Sequence, residues 1–509
     1  MYKLILIILL VGILFRLALT GNDNFLFNID SARDFVDVRE MVELGKFRLT
    51  GPTTAIDGLY SGPFWYYFLA IGYIFSNGHP YSAILLQIIL WAIGGFFLLK
   101  LVGRWSSFLA IPIGAIWIAS DHIVLANLYA FNPTPVMLLT PLFIYLLVEY
   151  LEKEKGIYAI LTWFLAGLFF NFEMNFGVFA PIIILVSVIL TKNAKLLRQK
   201  WFWLGFAIFI LFLLPQVIFD LKHQFLMSRA VLRHLSENSG AGFNLLARFQ
   251  VIASSFYNTF LPTLMNQKIF AWIILGLLVP LIYGLLKKGK EEILVFVSLI
   301  FIFVPFLGYL IIPVTVNPWH LGGEMAASLI VLAYLFKRLV DGAIISKLIS
   351  IFLSISVIWF GLSNIGNFFL YDLKKPNLDP SLFKNEIAAI DFVYKKADKK
   401  NFKVYTYLPS IIDYPYQYLI WWHGLKEFGY LPMDYAYAPE KFEYISNKKS
   451  FSATEDDLKI RENSNLVFLI KEPNRNYTRF GWEGDFVKYN WETIDKQMIG
   501  SIEVETRKE

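Results

Sequence analysis

The sequence predicts a polytopic α-helical membrane protein of about eleven transmembrane helices, followed by a small C-terminal α/β domain. Three observations predict it. The 509 residues are 57% hydrophobic and only 17% charged, with a mean hydropathy of +0.54, whereas ordinary soluble chains carry about 25% charged residues. Apolar runs centre on residues 4–20, 81–99, 105–125, 134–150, 157–172, 176–191, 202–219, 269–286, 293–312, 325–336 with its flanks, and 344–363. Finally, the basic residues of the short connections fall in alternate loops only.

The first run, "MYKLILIILLVGILFRLALT", begins like a secretory signal but has no small-residue cleavage site, so it reads as an uncleaved span. Arg16 within it is expected to snorkel outward. The stretch "LYSGPFWYYFLAIGYIFSNG" at 59–78 is short, glycine-punctuated and aromatic, which suits the membrane interface better than the hydrocarbon core.

Keeping 59–78 out of the bilayer places Lys100 and Arg104, Lys153 and Lys155, Lys192, Lys195, Arg198 and Lys200, Lys287, Lys288 and Lys290, and Lys337, Arg338 and Lys347 on one side. The opposite connections, around 126–134, 171–176 and 313–324, contain no Lys or Arg. The positive-inside rule then sets the N-terminus in the cytoplasm and the C-terminus outside a multi-pass plasma-membrane protein.

On this reading residues 1–371 form the transmembrane domain, with large extracytoplasmic loops at 21–79 and 220–267. The charged, proline-bearing linker "YDLKKPNLDP" leads into a soluble extracytoplasmic domain, 372–509. There "SLFKNEIAAIDFVYKKADKK" has helical periodicity, and "FKVYTYL" and "NLVFLI" have strand length. No internal repeat is visible. The net charge of +6 is spread over loops and gives no nucleic-acid partner, and the absence of cysteine excludes disulfides, thiolate catalysis and Cys-ligated zinc.

"NIDSARDFVDVREM" concentrates charge where the chain first leaves the bilayer. As an amphipathic helix it pairs Arg33 with Asp37 and Arg39 with Glu43, with Ser31 and Asp34 as a capping box. Its position supports a second reading: a carboxylate at the water–lipid boundary can take a proton from a hydroxyl that attacks a lipid-borne substrate.

The segment from Asn28 to Ala83 resembles the first loop of the membrane GT-C glycosyltransferases. It is most similar to the bacterial and archaeal branch related to protein O-mannosyltransferases and lipid A aminoarabinose transferases. The likeness rests on Asp30, Arg33 and Asp34, on "SGPFWYYFLA" from Ser61 to Ala70 and on "FSNG" from Phe75 to Gly78, with looser matches in "FNPTPVML", "LPQVIFDLKHQF" and "YPYQYLIWWHGLKEFGYLP". The resemblance implies a GT-C-like fold and an inverting transfer of a hexosyl or pentosyl unit. The donor would be a polyprenyl-phosphate-linked sugar, and the acceptor a glycan, lipid or protein of the cell envelope. It implies Asp30 as the first catalytic acid and Asp34 as the second. Ser31 stands where the aminoarabinose branch has Glu, and Asn132 where a second loop often carries Asp. These departures leave a second carboxylate and any divalent metal open.

The chemistry also asks for cations and acceptor contacts. Arg33, Lys222, Arg229 and Arg233 are candidates for the donor phosphate, the last three on one side of a helix with His223 and His234 flanking them; attraction to membrane lipid headgroups explains the same stripe. Glu173 in "NFEMNF" is a costly carboxylate near the end of a span, fitting either an acceptor contact or a structural pair. His320 and Glu324, one turn apart in "PWHLGGEM", are spaced as two metal ligands, and His320 also as a substrate contact. His423 is expected on an aromatic, membrane-facing or acceptor-shaping surface. The alternative function, a transporter or flippase of polyprenyl-linked sugars, would concentrate ionisable residues near mid-bilayer and often show repeated halves.

Overall fold

A helix crosses a bilayer when it is long enough and covered by apolar side chains. The structure, a computed structural model, describes all residues except 240–243, 289–291, 313, 411, 441–443 and 475–477. Its helical part runs α1 (Tyr2–Thr20), α2 (Ile29–Glu43), α3 (Phe64–Ser76), α4 (Tyr81–Val102), α5 (Ala110–Ala119), α6 (Asp121–Leu125), α7 (Thr134–Lys153), α8 (Gly156–Phe172), α9 (Met174–Gly177) and α10 (Ala180–Leu190). It continues through α11 (Lys200–Lys222), α12 (Leu226–Ser239), α13 (Leu245–Thr263), α14 (Lys268–Lys288), α15 (Ile293–Ile311), α16 (Gly322–Val340) and α17 (Ile344–Leu370).

Every predicted apolar run is helical, but not every one is a full crossing. Among the described residues six helices, α1, α4, α7, α11, α15 and α17, are long and apolar enough to span, and α13 with α14, bent by 116°, makes up to seven. The runs at α5, α8 and α9–α10 are shorter apolar helices, and α16 carries Glu324, Lys337 and Arg338. The chain is thus a multi-pass membrane protein. α3 has 13 residues, about 20 Å at 1.5 Å per residue, too short to cross.

The basic connections meet at one end of the bundle. Arg104 pairs with Glu149 at 2.5 Å and Glu152 at 3.0 Å, Lys153 also reaches Glu149, Lys195 meets Glu154 at 2.6 Å, and Lys337 meets Glu292 at 2.8 Å. Lys290 lies outside the described residues, as do the side chains of Lys287 and Lys288. The loops without basic residues meet at the other end, where Leu26 N–H donates to the Leu128 carbonyl and Asn132 to that of Phe172.

Arg16 corrects one expectation. Instead of snorkelling it is wholly buried, 3.8 Å over the Trp91 ring, and donates to Asn127 Oδ1 at 2.8 Å and to the carbonyls of Trp117 and Ile118 at 3.2 Å. The end of α5 at Ala119 leaves carbonyls without intrahelical partners, and the guanidinium satisfies them.

The C-terminal residues add α18 (Phe383–Ala397), α19 (Tyr414–His423) and a five-stranded sheet, β1 (Asn401–Tyr407), β2 (Asp434–Ala436), β3 (Asn463–Lys471), β4 (Glu492–Ile499) and β5 (Ile502–Lys508), in the order β2-β1-β3-β5-β4. β2, β1 and β3 are parallel, and β5 and β4 are antiparallel. The runs "FKVYTYL" and "NLVFLI" lie in β1 and β3, where Phe402, Val404, Phe468 and Ile470 join the core.

This sheet layer is joined to the first loop. Phe27 N–H donates to the Ser381 carbonyl and Phe383 N–H to that of Phe25, while Tyr418 donates to the Gly78 carbonyl at 2.6 Å and Trp422 to that of Asn77 at 2.9 Å. Gly78 has φ +81°, and an added Cβ would lie 2.9 Å from the Tyr418 hydroxyl oxygen, so the turn that ends α3 takes glycine. α19 is accordingly buried, and His423 is no surface aromatic: its Nε2 lies 2.7 Å from Asp391.

Candidate active site

α2 begins at Asn28, whose side chain accepts from Ser31 N–H at 3.1 Å. The expected Ser31–Asp34 capping box is absent from this helix start because Asn28 takes that role. Ser31 Oγ instead donates to the Ala130 carbonyl at 2.8 Å, fastening α2 to the 126–134 loop. The expected i,i+4 ion pairs are also replaced. Arg33 turns back to Asp30 at 3.0 Å and to Asp34 at 2.9 Å, while Asp37 and Glu40 share Arg48 at 2.5 and 2.8 Å. Arg39, 1% exposed, stacks 3.8 Å over Phe451 and 5.0 Å over Trp421 of the C-terminal layer.

The "SGPFW" element supports α2 from below. An added Cβ on Gly62 would sit 1.8 Å from Asn171 Oδ1, so glycine lets the chain pass against α8. α3 then aims three side chains at α2: Trp65 Nε1 donates to Asp34 Oδ2 at 2.6 Å, Tyr66 to Asp37 at 2.8 Å and Tyr73 to Glu43 at 2.8 Å. Asp34 is fully buried behind Arg33. Burial pushes its carboxyl up to about 7, with Arg33 and Trp65 pulling the other way. Burial opposes the charge on Arg33, but Asp34 and Asp30 outweigh it and hold the guanidinium above its ordinary value.

Asp30 points the opposite way. Its side chain is 39% exposed and, with Arg33, lines a cavity of about 270 Å³ whose wall includes Ser61, Asn132, Glu173, Asn175, His234 and His320. Glu173 Oε1 accepts from both the backbone N–H and the side chain of Asn175 at 2.9 Å. Burial raises the Glu173 carboxyl to about 7 against those two bonds. Asn175 Nδ2 is also 3.2 Å from His320 Nε2, in a contact whose direction depends on the imidazole tautomer. Burial lowers His320 to about 4, so the ring is neutral at neutral pH.

A neighbouring chamber of about 420 Å³ shares Phe131, Pro133 and Trp319 with this cavity and has a mostly apolar wall, with Asp121, His122, Thr134, Asn258 and Asn266 among its polar side chains. Phe131 and Trp319 meet edge to face at 5.8 Å, forming the partition between a polar and a greasy space.

Of the predicted residues, Asp30, Arg33, Glu173 and His320 come together here, and Asp34 stands behind them. Lys222, His223, Arg229 and Arg233 do not line the cavity. Their stripe is broken because Gln224 and Phe225 take positive φ between α11 and α12. Arg233 donates to the Asp57 carbonyl at 3.1 Å, and His223 stacks 4.0 Å from Phe219. The metal-ligand reading of His320 with Glu324 does not fit: His320 faces the polar cavity and Glu324 a different, apolar one. Among the described residues no group of three or more potential ligands converges. His234, which flanks the basic stripe in the sequence, lines this cavity although the stripe does not, and sequence reasoning missed Asn175 and Trp319, which adjoin residues it singled out.

Residues 61–219 match the family model described as dolichyl-phosphate-mannose-protein mannosyltransferase. The fold is similar to crystal structures of ArnT from Cupriavidus metallidurans, apo and bound to undecaprenyl phosphate. Each has a TM-score of 0.60 at 11% identity, over 98% of this chain and 97% of that one. It is also similar to the Archaeoglobus fulgidus oligosaccharyltransferase in complex with Zn and sulfate, with a TM-score of 0.54 and 11% identity over 97% of this chain and 72% of that one. None of the curated proteins matches the sequence. The likeness to the GT-C glycosyltransferase superfamily therefore stands on a sequence-family match and on the fold together.

Proposed function

We propose that the chain is a glycosyltransferase that moves a sugar from a polyprenyl-phosphate donor to an acceptor hydroxyl of a glycan, lipid or protein. The reaction takes place at the outer face of the plasma membrane, with the N-terminus in the cytoplasm and residues 372–509 outside. The observation that carries this reading is the placement of Asp30. It is a partly exposed carboxylate in a polar cavity of about 270 Å³ that shares a wall with an apolar chamber of about 420 Å³. A sugar phosphate fits the first environment, and the first isoprene units of its lipid fit the second.

In the reaction the acceptor oxygen attacks the anomeric carbon from the face opposite the phosphate, inverting it. The bond from that carbon to the phosphate oxygen breaks, and its electron pair leaves with the polyprenyl phosphate. Asp30 takes the acceptor's proton. Arg33 fixes the Asp30 carboxylate and presents positive charge to the cavity, where negative charge grows on the departing phosphate. Asp34, hydrogen-bonded to Arg33 and Trp65, is a positioning residue in this scheme. Glu173, Asn175 and His320 form a second polar wall that orients sugar or acceptor hydroxyls. Lys222, His223, Arg229 and Arg233, on the outer surface of α11 and α12, meet lipid headgroups and attract the anionic headgroup of the membrane-borne donor.

The test is transfer in isolated membranes supplied with a polyprenyl-phosphate sugar. Asp30→Asn should abolish transfer while the protein keeps its wild-type unfolding temperature. Undiminished turnover would remove Asp30 from the mechanism, and no transfer by the wild type with any such donor would remove the reaction.

A further inference from the structure

Between α13, α14, α15 and α16 lies a chamber of about 580 Å³, separate from the two already described. Phe256, Phe260, Trp272, Leu299 and Phe306 line it, and it lies among membrane helices. One feature is out of keeping with that lining. Glu324, in the first turn of α16, is 3% exposed and faces the chamber, and neither of its carboxyl oxygens has a hydrogen-bond partner in another described residue. A buried acid left unpaired is expensive, and sugar transfer at Asp30 makes no use of it.

Besides Ser254 and Tyr257, two hydroxyls on the wall sharpen the chemistry. Thr259 gives its hydroxyl proton to the Ser255 carbonyl at 2.9 Å, and Ser328 gives its own to the Met325 carbonyl at 2.6 Å. What both present to the chamber is therefore lone pairs. Together with the two carboxyl oxygens on the same wall they supply acceptors, and a ligand that engages all of them must bring donors.

We propose that the chamber is a second ligand site, for a single-chain amphiphile ending in a protonated amine. The ammonium sits on Glu324, with Thr259 and Ser328 accepting its remaining protons, and the hydrocarbon lies among the aromatic side chains. The volume suits one such molecule, since small-molecule sites typically span about 300–1,000 Å³. Anionic lipids, the polyprenyl phosphate included, are disfavoured here because no Lys, Arg or His among the described residues lines the chamber to offset their charge.

Trp272 on the chamber wall provides the readout. The full chain, in bilayer discs of phosphatidylcholine, is titrated with a brominated dodecylamine and, separately, with the matching brominated dodecanol, and quenching of tryptophan fluorescence is followed. The component lost in Trp272→Phe is the one that reports on the chamber. The amine should bind at least about tenfold more tightly than the alcohol, as a charge-assisted hydrogen bond in a dry site provides. Glu324→Gln should erase that preference while the alcohol's weak quenching stays. Ser328→Phe, which fills the chamber, should remove both while the protein keeps a cooperative unfolding transition. Equal binding of amine and alcohol by the wild type, or a preference that survives in Glu324→Gln, would reduce the chamber to a space filled by lipid chains and overturn the proposal.

Discussion

Trp65 donates its indole N–H to Asp34 Oδ2 at 2.6 Å, joining α3 to α2 across the first loop. The bond begins a relay: Asp34 holds Arg33 at 2.9 Å, Arg33 holds Asp30 at 3.0 Å, and Arg33 and Asp30 line the cavity while Asp34 stands behind them. An aromatic residue that touches no substrate thereby sets the direction of the acid assigned as base.

Trp65→Phe keeps an aromatic side chain, smaller than the indole, and removes the donor, leaving a buried carboxylate one bond short. Stability should fall by about 1–3 kcal/mol, and the turnover number should drop about tenfold with little change in the Michaelis constant. Thermal unfolding and initial-rate transfer assays on purified protein check both. Asp30→Asn should give the reverse pattern, with activity lost and the unfolding temperature kept.

Glu173 makes stability depend on pH. Its folded-state value, about 7, lies above the ordinary 4.5, so between these values the folded protein binds the proton that the unfolded chain has released. Stability therefore falls as pH rises through that window, by at most roughly 3 kcal/mol for a shift of this size. Glu173→Gln cannot titrate. Relative to wild type it should gain stability between pH 4.5 and pH 7.5. A parallel course of the two unfolding temperatures across that range would show that this carboxyl does not titrate as assigned.

Arg39 ties α2 to the C-terminal layer, stacked on Phe451 and Trp421. Arg39→Ala should cost about 2–4 kcal/mol through lost packing and cation–π contact. It should also expose residues beyond 372 to limited proteolysis before the transmembrane part unfolds. Arg39→Lys keeps the charge but not the planar stack, and should recover only part of the loss. Both are measured by protease digestion followed by gel analysis.

The orientation is testable because the chain has no cysteine. A single cysteine at the exposed position of Glu237 in α12 should react with a membrane-impermeant thiol reagent on intact cells. Labelling only after lysis would place the 220–267 segment on the other side.

Read alone, the sequence yields the membrane class, the helical runs and the charged helix behind the first span. These are written in local composition and period, and each apolar run became a helix for that reason. It also brought Asp30, Arg33, Glu173 and His320 into view, because charge in an apolar chain is conspicuous wherever it falls. The partners of those charges came only with the tertiary structure. Spacing paired Arg33 with Asp37 and Arg39 with Glu43, yet packing against α3 and α19 sent Arg33 to Asp30 and Asp34, and Arg39 to Phe451. Helical spacing likewise put Lys222, Arg229 and Arg233 on one stripe, and the backbone turn at Gln224 and Phe225 divided it. Arg16 was buried by a gap between α5 and α6 that no hydropathy profile records. A side chain's partner is chosen by what the fold brings within reach of it, and that depends on contacts between residues far apart in the chain.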